Sequence, residues 1–235
     1  MTTTLITGAN KGLGFETARQ LIAAGHTVYV GSRDEGNAQQ AAEALGPNAR
    51  PLLIDITDEA SVQAAAESVG KAGDGLDVLI NNAGIAGGSI APIDTTGDSL
   101  ARLLDTNTVG AVRVTHAFLP LLLRSKRGLV VNVSSGLGSI GWATDPSRLE
   151  SQLVLLNYAA SKAALNMLTV QYAKAFPQLR INVVDPGYTA TDLNGHRGTQ
   201  TVEEGVVAIV RAATLPEGDD APTGTFTNAD GPVPW

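Results

Sequence analysis

Six short runs rich in β-branched residues and leucine, at 3–7, 27–31, 50–54, 78–81, 129–134 and 181–184, alternate with longer alanine-rich amphipathic stretches. The runs are nearly continuous in apolar character, as strands are when both faces of a parallel sheet are covered. Helical periodicity fills the intervals at about 11–24, 35–45, 58–71, 97–124 and 152–176, with a weaker stretch near 202–213. The third of these carries its own start signal, because Thr57, Asp58 and Glu59 supply a cap and first-turn acidic residues. A last strand is expected at 224–228. Regular alternation of strand and helix calls for right-handed crossovers and helices on both faces of one sheet. Stretches rich in Gly, Pro and Asp at 86–98, 141–151 and 216–223 read as loops inside that unit, and no repeat or linker divides the chain. In such sheets ligands bind beyond the carboxyl ends of the strands. The chemically distinctive residues should therefore lie at strand ends.

Directly after the first run stands Thr7-Gly8-Ala9-Asn10-Lys11-Gly12-Leu13-Gly14, leading into a helical pattern. Glycines there permit a tight turn and close backbone approach to a pyrophosphate, which sits at the positive end of the following helix. The spacing is Gly8-x3-Gly12-x-Gly14 rather than the commoner G-x-G-x-x-G, and an ordinary strand-to-helix turn is the plain alternative. Its place after the first strand favours a nucleotide site. The expected fold is thus α/β: a single-domain Rossmann fold over residues 1–235, a doubly wound parallel sheet of about seven strands with helices on both faces. At the end of the second run an acidic residue would hold the adenosine ribose, whereas a 2′-phosphate needs positive charge. The chain has Ser32-Arg33 there, with Asp34 one position later, and Lys11 in the glycine loop is a second cation. Arg33 can fork onto a phosphate, so NADP(H) is favoured over NAD(H), with Asp34 as the dissenting residue.

Tyr158-Ala-Ala-Ser-Lys162 opens a helical pattern, and a spacing of four puts phenol and ammonium on one face. A nearby cation favours the phenolate and lowers a pKa that is near 10 in water. A phenol so tuned exchanges a proton with a carbonyl or alcohol oxygen near neutral pH. Ser134-Ser135 follows the fifth run, where a hydroxyl could stabilise charge on a substrate oxygen, although serine is also a common turn residue. A serine hydrolase is disfavoured: no G-x-S-x-G elbow is present, and His26, His116 and His196 lack a partner arrangement.

Taken in order, the pieces resemble the short-chain dehydrogenase/reductase family over essentially the whole chain. They are the 7–14 loop, Asp55, Asn81-Asn82-Ala83-Gly84, Asn107, Ser135, Tyr158-x-x-x-Lys162 and Pro186-Gly187-x-Thr189-x-Thr191. The resemblance implies that Ser135 orients the substrate carbonyl, that Tyr158 is the general acid in reduction, and that Lys162 binds the nicotinamide ribose while tuning Tyr158. Asn107 would hold a water that relays protons to Lys162. It further implies cofactor contacts from Gly8, Asn10, Lys11, Gly12, Leu13 and Gly14, from Arg33, and from Asp55 and Ile56 beside the adenine. Asn82, Ala83 and Gly84 would lie along the cofactor, and Pro186, Gly187, Thr189 and Thr191 over its nicotinamide amide and pyrophosphate. The choice of Ser135 over Ser134 rests on register with Gly138. Asn10-Lys11, Ser32-Arg33-Asp34 and the closing Gly-Pro-Val-Pro-Trp resemble the carbonyl-reductase branch, which typically uses NADPH.

One departure is the spacing from Ser135 to Tyr158, 23 positions where many members have about a dozen between serine and tyrosine. The extra segment, 142–156, carries Leu149, Leu153 and Leu156 at helical spacing, which predicts a short helix over the substrate mouth or against an outer helix. In carbonyl reductases a longer insert is associated with a monomer, so a monomer or homodimer is expected rather than the family's usual tetramer. The expected partner is a small carbonyl or alcohol substrate. A net charge of -7 and 4% aromatic residues argue against nucleic acid. Apolar runs such as 119–123 are too short to span a bilayer, and no secretory signal is visible, so a cytoplasmic protein is expected. The absence of cysteine excludes thiolate metal sites, and no metal is expected. The activity expected is hydride transfer from NADPH to an aldehyde, ketone or quinone. The alternatives are an NAD-linked alcohol dehydrogenase working oxidatively and a nucleotide-binding redox sensor without turnover; a sugar-nucleotide epimerase fits less well.

Overall fold

The computed structural model describes residues 2–216 and 221–235; positions 217–220 of the loop expected at 216–223 lie outside the described residues. Seven parallel strands form one sheet: β1 (Thr3–Ile6), β2 (Thr27–Ser32), β3 (Ala49–Leu53), β4 (Val78–Asn81), β5 (Leu129–Val133), β6 (Arg180–Val184) and β7 (Phe226–Asn228). An eighth, β8 (Gly231–Pro232), runs antiparallel to β7. The order is β3-β2-β1-β4-β5-β6-β7-β8, so the winding reverses between β1 and β4. That reversal opens a crevice at the carboxyl ends of those two strands, where ligands bind in such sheets.

The apolar runs are strands because neighbouring residues are buried on opposite faces. Leu5, Leu79 and Val130 join a core with Val62, Val69, Val114 and Phe118, from α3 (Glu59–Ala72) and α5 (Gly110–Leu122). Ile6, Ile80 and Val131 point the other way, toward Ala18, Leu21, Ala41 and Ile209. Those side chains come from α1 (Gly12–Ala23), α2 (Glu35–Leu45) and α9 (Val207–Ala213). Caps fix the helix starts: Asp34 accepts from the Asn37 amide at 2.7 Å, and Asp58 from the Ala60 amide at 3.0 Å. Between α3 and α5 lies α4 (Gly97–Leu104), and at the other end of the chain α8 (Val202–Gly205) precedes α9.

Three details depart from the periodicity. The 97–124 helix is a single rod whose middle turn, Asp105–Val109, is π-helical. One residue too many is accommodated there, and such turns concentrate at functional sites. The long helix expected from 152 begins later, as α7 (Leu156–Ala175). The 142–156 segment does not form a helix carrying three leucines. Instead α6 (Ile140–Ala143) is followed by a turn at Asp145, whose carboxylate accepts from the Ser147 amide and hydroxyl, and by one 3₁₀ turn at Leu149–Gln152. Leu153 is extended, which breaks the spacing, and Leu149, Leu153 and Leu156 remain exposed. What holds the segment is polar: Arg148 lies 3.7 Å from the Trp142 ring centre and pairs with Glu150.

Candidate active site

The crevice is built by stitching β1 to β4. The Thr7 hydroxyl accepts from the amides of Asn82 (3.0 Å) and Ala83 (3.1 Å), and the Asn82 side chain donates to the carbonyls of Thr7 (2.9 Å) and Gly8 (3.2 Å). Gly8 and Gly12 have φ of 64° and 55°, the left-handed region that glycine tolerates. A Cβ on Gly14 would stand 2.5 Å from the Gly8 carbonyl and 2.6 Å from the Asn82 amide nitrogen, so only hydrogen fits. Lys11 precedes α1 without a side-chain cap, and no acidic residue occupies the first turn. The positive helix end therefore faces the loop, as a pyrophosphate requires. These residues fit a nicotinamide dinucleotide. Asn10 and Leu13 line the loop half-buried, and the Thr191 methyl lies 3.7 Å from where a Gly12 Cβ would be.

At the far end of the crevice Arg33 is exposed, while the Asp34 carboxylate is taken up in capping α2. Hydrogen bonds from the Thr57 amide and hydroxyl hold the Asp55 carboxyl below the usual carboxylate range, helped by Arg33 and Arg113. Ile56 is buried against Gly110. Lys11 reaches across the crevice to Asp192 at 2.7 Å, and the other Asp192 oxygen meets His196 Nε2 at 2.8 Å. The glycine loop is thereby latched to the segment after β6.

The two serines after β5 separate clearly. Ser134 is buried and donates to Asn166 Oδ1 at 2.6 Å. Ser135 is half-buried, caps the following turn by accepting from the Leu137 amide, and reaches the phenol of Tyr158. Lys162 follows one turn along α7, its ammonium 5.7 Å from the Tyr158 ring centre and donating to the Val133 carbonyl at 2.9 Å. Burial pushes the phenol up to about 12, with the negative charge of Asp185 adding to it and Ser135 opposing. Burial pushes Lys162 down to about 8 against the pull of Asp185. The phenol's direction is opposite to that expected from a neighbouring cation. Burial outweighs the Ser135 hydrogen bond on the phenol, and burial likewise weakens the cation.

Asn107, in the π turn, is buried and fully engaged. Its Oδ1 accepts from the Ile85 amide (2.8 Å), and its Nδ2 donates to the Ile85 carbonyl (2.9 Å) and the Ser161 hydroxyl (3.0 Å). Gly84 sits between it and Lys162: a Cβ there would lie 3.2 Å from Asn107 Oδ1 and 3.7 Å from Lys162 Nζ. After β6, Pro186 accepts from the Thr189 hydroxyl at 3.0 Å, and Gly187 adopts φ 72°. Sequence reasoning brought these residues to one crevice but gave no role of their own to Thr7, Ser161 and Asp185. Thr7 and Ser161 carry no spacing signal. Asp185 carries a faint one, as a lone carboxylate closing an apolar strand.

Among the described residues no cluster of His, Asp or Glu is arranged to hold a metal, and no helix is long and apolar enough to cross a membrane. The family model for short-chain dehydrogenases matches residues 2–201. A short-chain dehydrogenase of Penicillium roqueforti is 40% identical over 221 residues, 89% of this chain and 87% of that one. The (+)-neomenthol dehydrogenase of Arabidopsis thaliana is 34% identical, covering 94% of each chain. The crystal structure of NADPH-bound carbonyl reductase from chicken fatty liver superposes with a TM-score of 0.87 at 31% identity, covering 100% of this chain and 99% of that one. With that fold, crevice and residue order, the chain belongs to the short-chain dehydrogenase/reductase family, is carbonyl-reductase-like, and is an NAD(P)H-dependent oxidoreductase.

Proposed function

We propose that the chain reduces the carbonyl of an aldehyde, ketone or quinone with NADPH, and that Tyr158 supplies the proton. The observation that carries this reading is the convergence of Ser135, Tyr158 and Lys162 at the carboxyl end of β5, with Gly84 and Asn107 alongside. When bound, the nicotinamide supplies the hydride. The chain's own residues do the rest. Ser135 donates to the carbonyl oxygen and fixes its position, and Tyr158, held protonated by burial, gives that oxygen its proton. Lys162 binds the nicotinamide ribose and keeps positive charge beside the phenolate that forms. Asn107, pinned by Ile85 and Ser161, holds the π turn in place next to Lys162 and so keeps a water path to it. Gly8, Asn10, Lys11, Gly12, Leu13, Gly14, Asp55, Ile56, Asn82, Ala83, Gly84, Pro186, Gly187, Thr189 and Thr191 make up the cofactor's bed. Preference for the 2′-phosphate is supported by exposed Arg33 and by Asp34 being engaged in a cap.

A substrate with an apolar part is supported by the recess at Tyr158, lined by Gly88, Ile90, Leu155, Leu156 and Asn157. That agrees with the menthol-type alcohol named for the Arabidopsis relative. The reading is tested by following loss of reduced-nicotinamide absorbance with NADPH and with NADH, over a panel of aldehydes, ketones and quinones. Tyr158→Phe should lower turnover by at least about a thousandfold, the order of an essential acid combined with lost alignment, and leave NADPH binding intact. Retained turnover in that variant removes Tyr158 as the acid. Absence of turnover in the parent chain, with binding preserved, favours a nucleotide sensor.

A further inference from the structure

Asp185 is the acidic side chain that the reading above leaves without a task. It stands at the carboxyl end of β6, 6% exposed, in the register position beside the Ser134-Ser135 turn. Its carboxylate accepts the Gly187 amide at 3.0 Å and faces the Gly136 amide, which favours its charged form. Gly136 follows Ser135, and Gly187 belongs to the Pro186-Gly187 turn, so one carboxylate bridges the two loops that frame the reacting centre. We infer that Asp185 is a positioning residue, locking the Ser135 turn to the Pro186-Gly187 turn and presenting its negative charge to Tyr158 and Lys162.

Charge and burial agree with the geometry. A buried carboxylate costs free energy unless hydrogen-bonded, and here two main-chain amides favour the charged form while burial pushes the carboxyl above its ordinary range. The charged groups facing it are few. From α7 come Tyr158 and Lys162, both of whose protonated forms it favours. From the insert come Glu150, which opposes its ionisation, and Arg148, which supports it. Glu150 is seated by the same turn, since a Cβ on Gly136 would lie 2.9 Å from its Oε1 and 2.8 Å from the Trp142 ring. The insert, the serine turn and Asp185 therefore form one polar cluster under the substrate side of the crevice. A negative charge there keeps the proton on the phenol and on the ammonium, so its removal moves both titrations to lower pH.

The inference rests on the proposed role of Tyr158, and the experiment separates the two. Asp185→Asn keeps an acceptor for Gly136 and Gly187 but removes the charge. Its kcat for reduction of 4-nitrobenzaldehyde by NADPH is measured across pH, beside the parent and Tyr158→Phe. The alkaline limb is expected to move to lower pH by roughly half a unit or more, with NADPH affinity within about threefold of the parent. A merely structural role would lower the plateau and leave the limb in place, which overturns the inference. Independently of turnover, the phenolate absorbance of Tyr158, taken as the difference between each chain and its Tyr158→Phe version, should appear at lower pH in Asp185→Asn. A phenolate shift without turnover in the parent sinks the catalytic reading and leaves the charge role standing; no phenolate shift in an active enzyme sinks this inference alone. If Asp185→Asn does not fold, Asp185→Ser is measured in the same way. Failure of both to fold makes Asp185 a folding determinant and overturns the positioning role.

Discussion

Arg33 and Lys162 are two cations in very different settings along one crevice. Arg33 is exposed just after β2, and the neighbouring Asp34 carboxylate is taken up in the α2 cap. A guanidinium on a 2′-phosphate makes charge-assisted hydrogen bonds of about 1.5–3 kcal/mol. Arg33→Ala is therefore expected to weaken NADPH by roughly ten- to a hundredfold and NADH by less than about twofold. Titration of both cofactors checks it, and an equal loss for the two would falsify the phosphate contact. Lys162 is buried, its ammonium donates to the Val133 carbonyl, and its pKa falls to about 8. A chain with Lys162→Met should be inactive yet more stable by about 1–2 kcal/mol near neutral pH, after allowing for the lost hydrogen bond. The sign follows from proton counts. Between the folded value of about 8 and the unfolded value near 10.4, the unfolded chain holds a proton that the folded chain has released. Parent stability therefore rises with pH over that window. The advantage of methionine is thus greatest below about pH 8 and shrinks above it; urea unfolding at pH 7 and pH 9.5 measures both.

At the scale of elements, the central strands were legible because they are buried on both faces, which makes 3–7, 78–81 and 129–134 read as nearly continuous apolar runs. Long amphipathic helices were legible for the complementary reason. What escaped are features that periodicity does not encode. The π turn at Asp105–Val109 adds one residue within a continuing rod, and an apolar pattern over 97–124 is indifferent to that. Strand β8 is two residues long, set by an Asn228 side chain that accepts the amides of Asp230 and Gly231, and two residues carry no alternation to detect. The insert misled because leucines at helical spacing need a partner surface, and here Leu149, Leu153 and Leu156 face solvent while Trp142, Arg148 and Glu150 do the anchoring. Among site residues, spacing brought out the glycine loop, Tyr158 and Lys162. The direction of the Tyr158 shift was not legible, since it depends on burial and on the Asp185 charge, and both follow only from the packing of β5, β6 and α7 together.

At the scale of the whole molecule, residues far apart in the chain meet under the substrate side. Val233 is 5% exposed and donates its amide to the Phe226 carbonyl at 2.8 Å, extending the sheet edge. Pro234 accepts from the fully buried Ser139 hydroxyl at 2.6 Å, and the Trp235 carbonyl accepts from the Gly141 amide at 2.9 Å. The Trp235 ring packs 5.6 Å from Phe226. These contacts seat α6, and with it Trp142, whose ring lies against Gly136 next to Ser135. The glycine loop and Arg33, by contrast, follow β1 and β2, several strands away from β7 and β8. Removing residues 232–235 exposes the apolar surface under Val233 and leaves Ser139 buried without its acceptor. Those losses amount to roughly 3–5 kcal/mol, or a fall in Tm on the order of 10 °C. Function should divide along the same line. Since the support lost lies beneath Ser135 and the insert, KM for the carbonyl compound is expected to rise several-fold more than KM for NADPH. Steady-state kinetics on the shortened chain, at a temperature well below its own Tm, decide the matter. A uniform loss in both constants would mean that the segment stabilises the fold without shaping the substrate side.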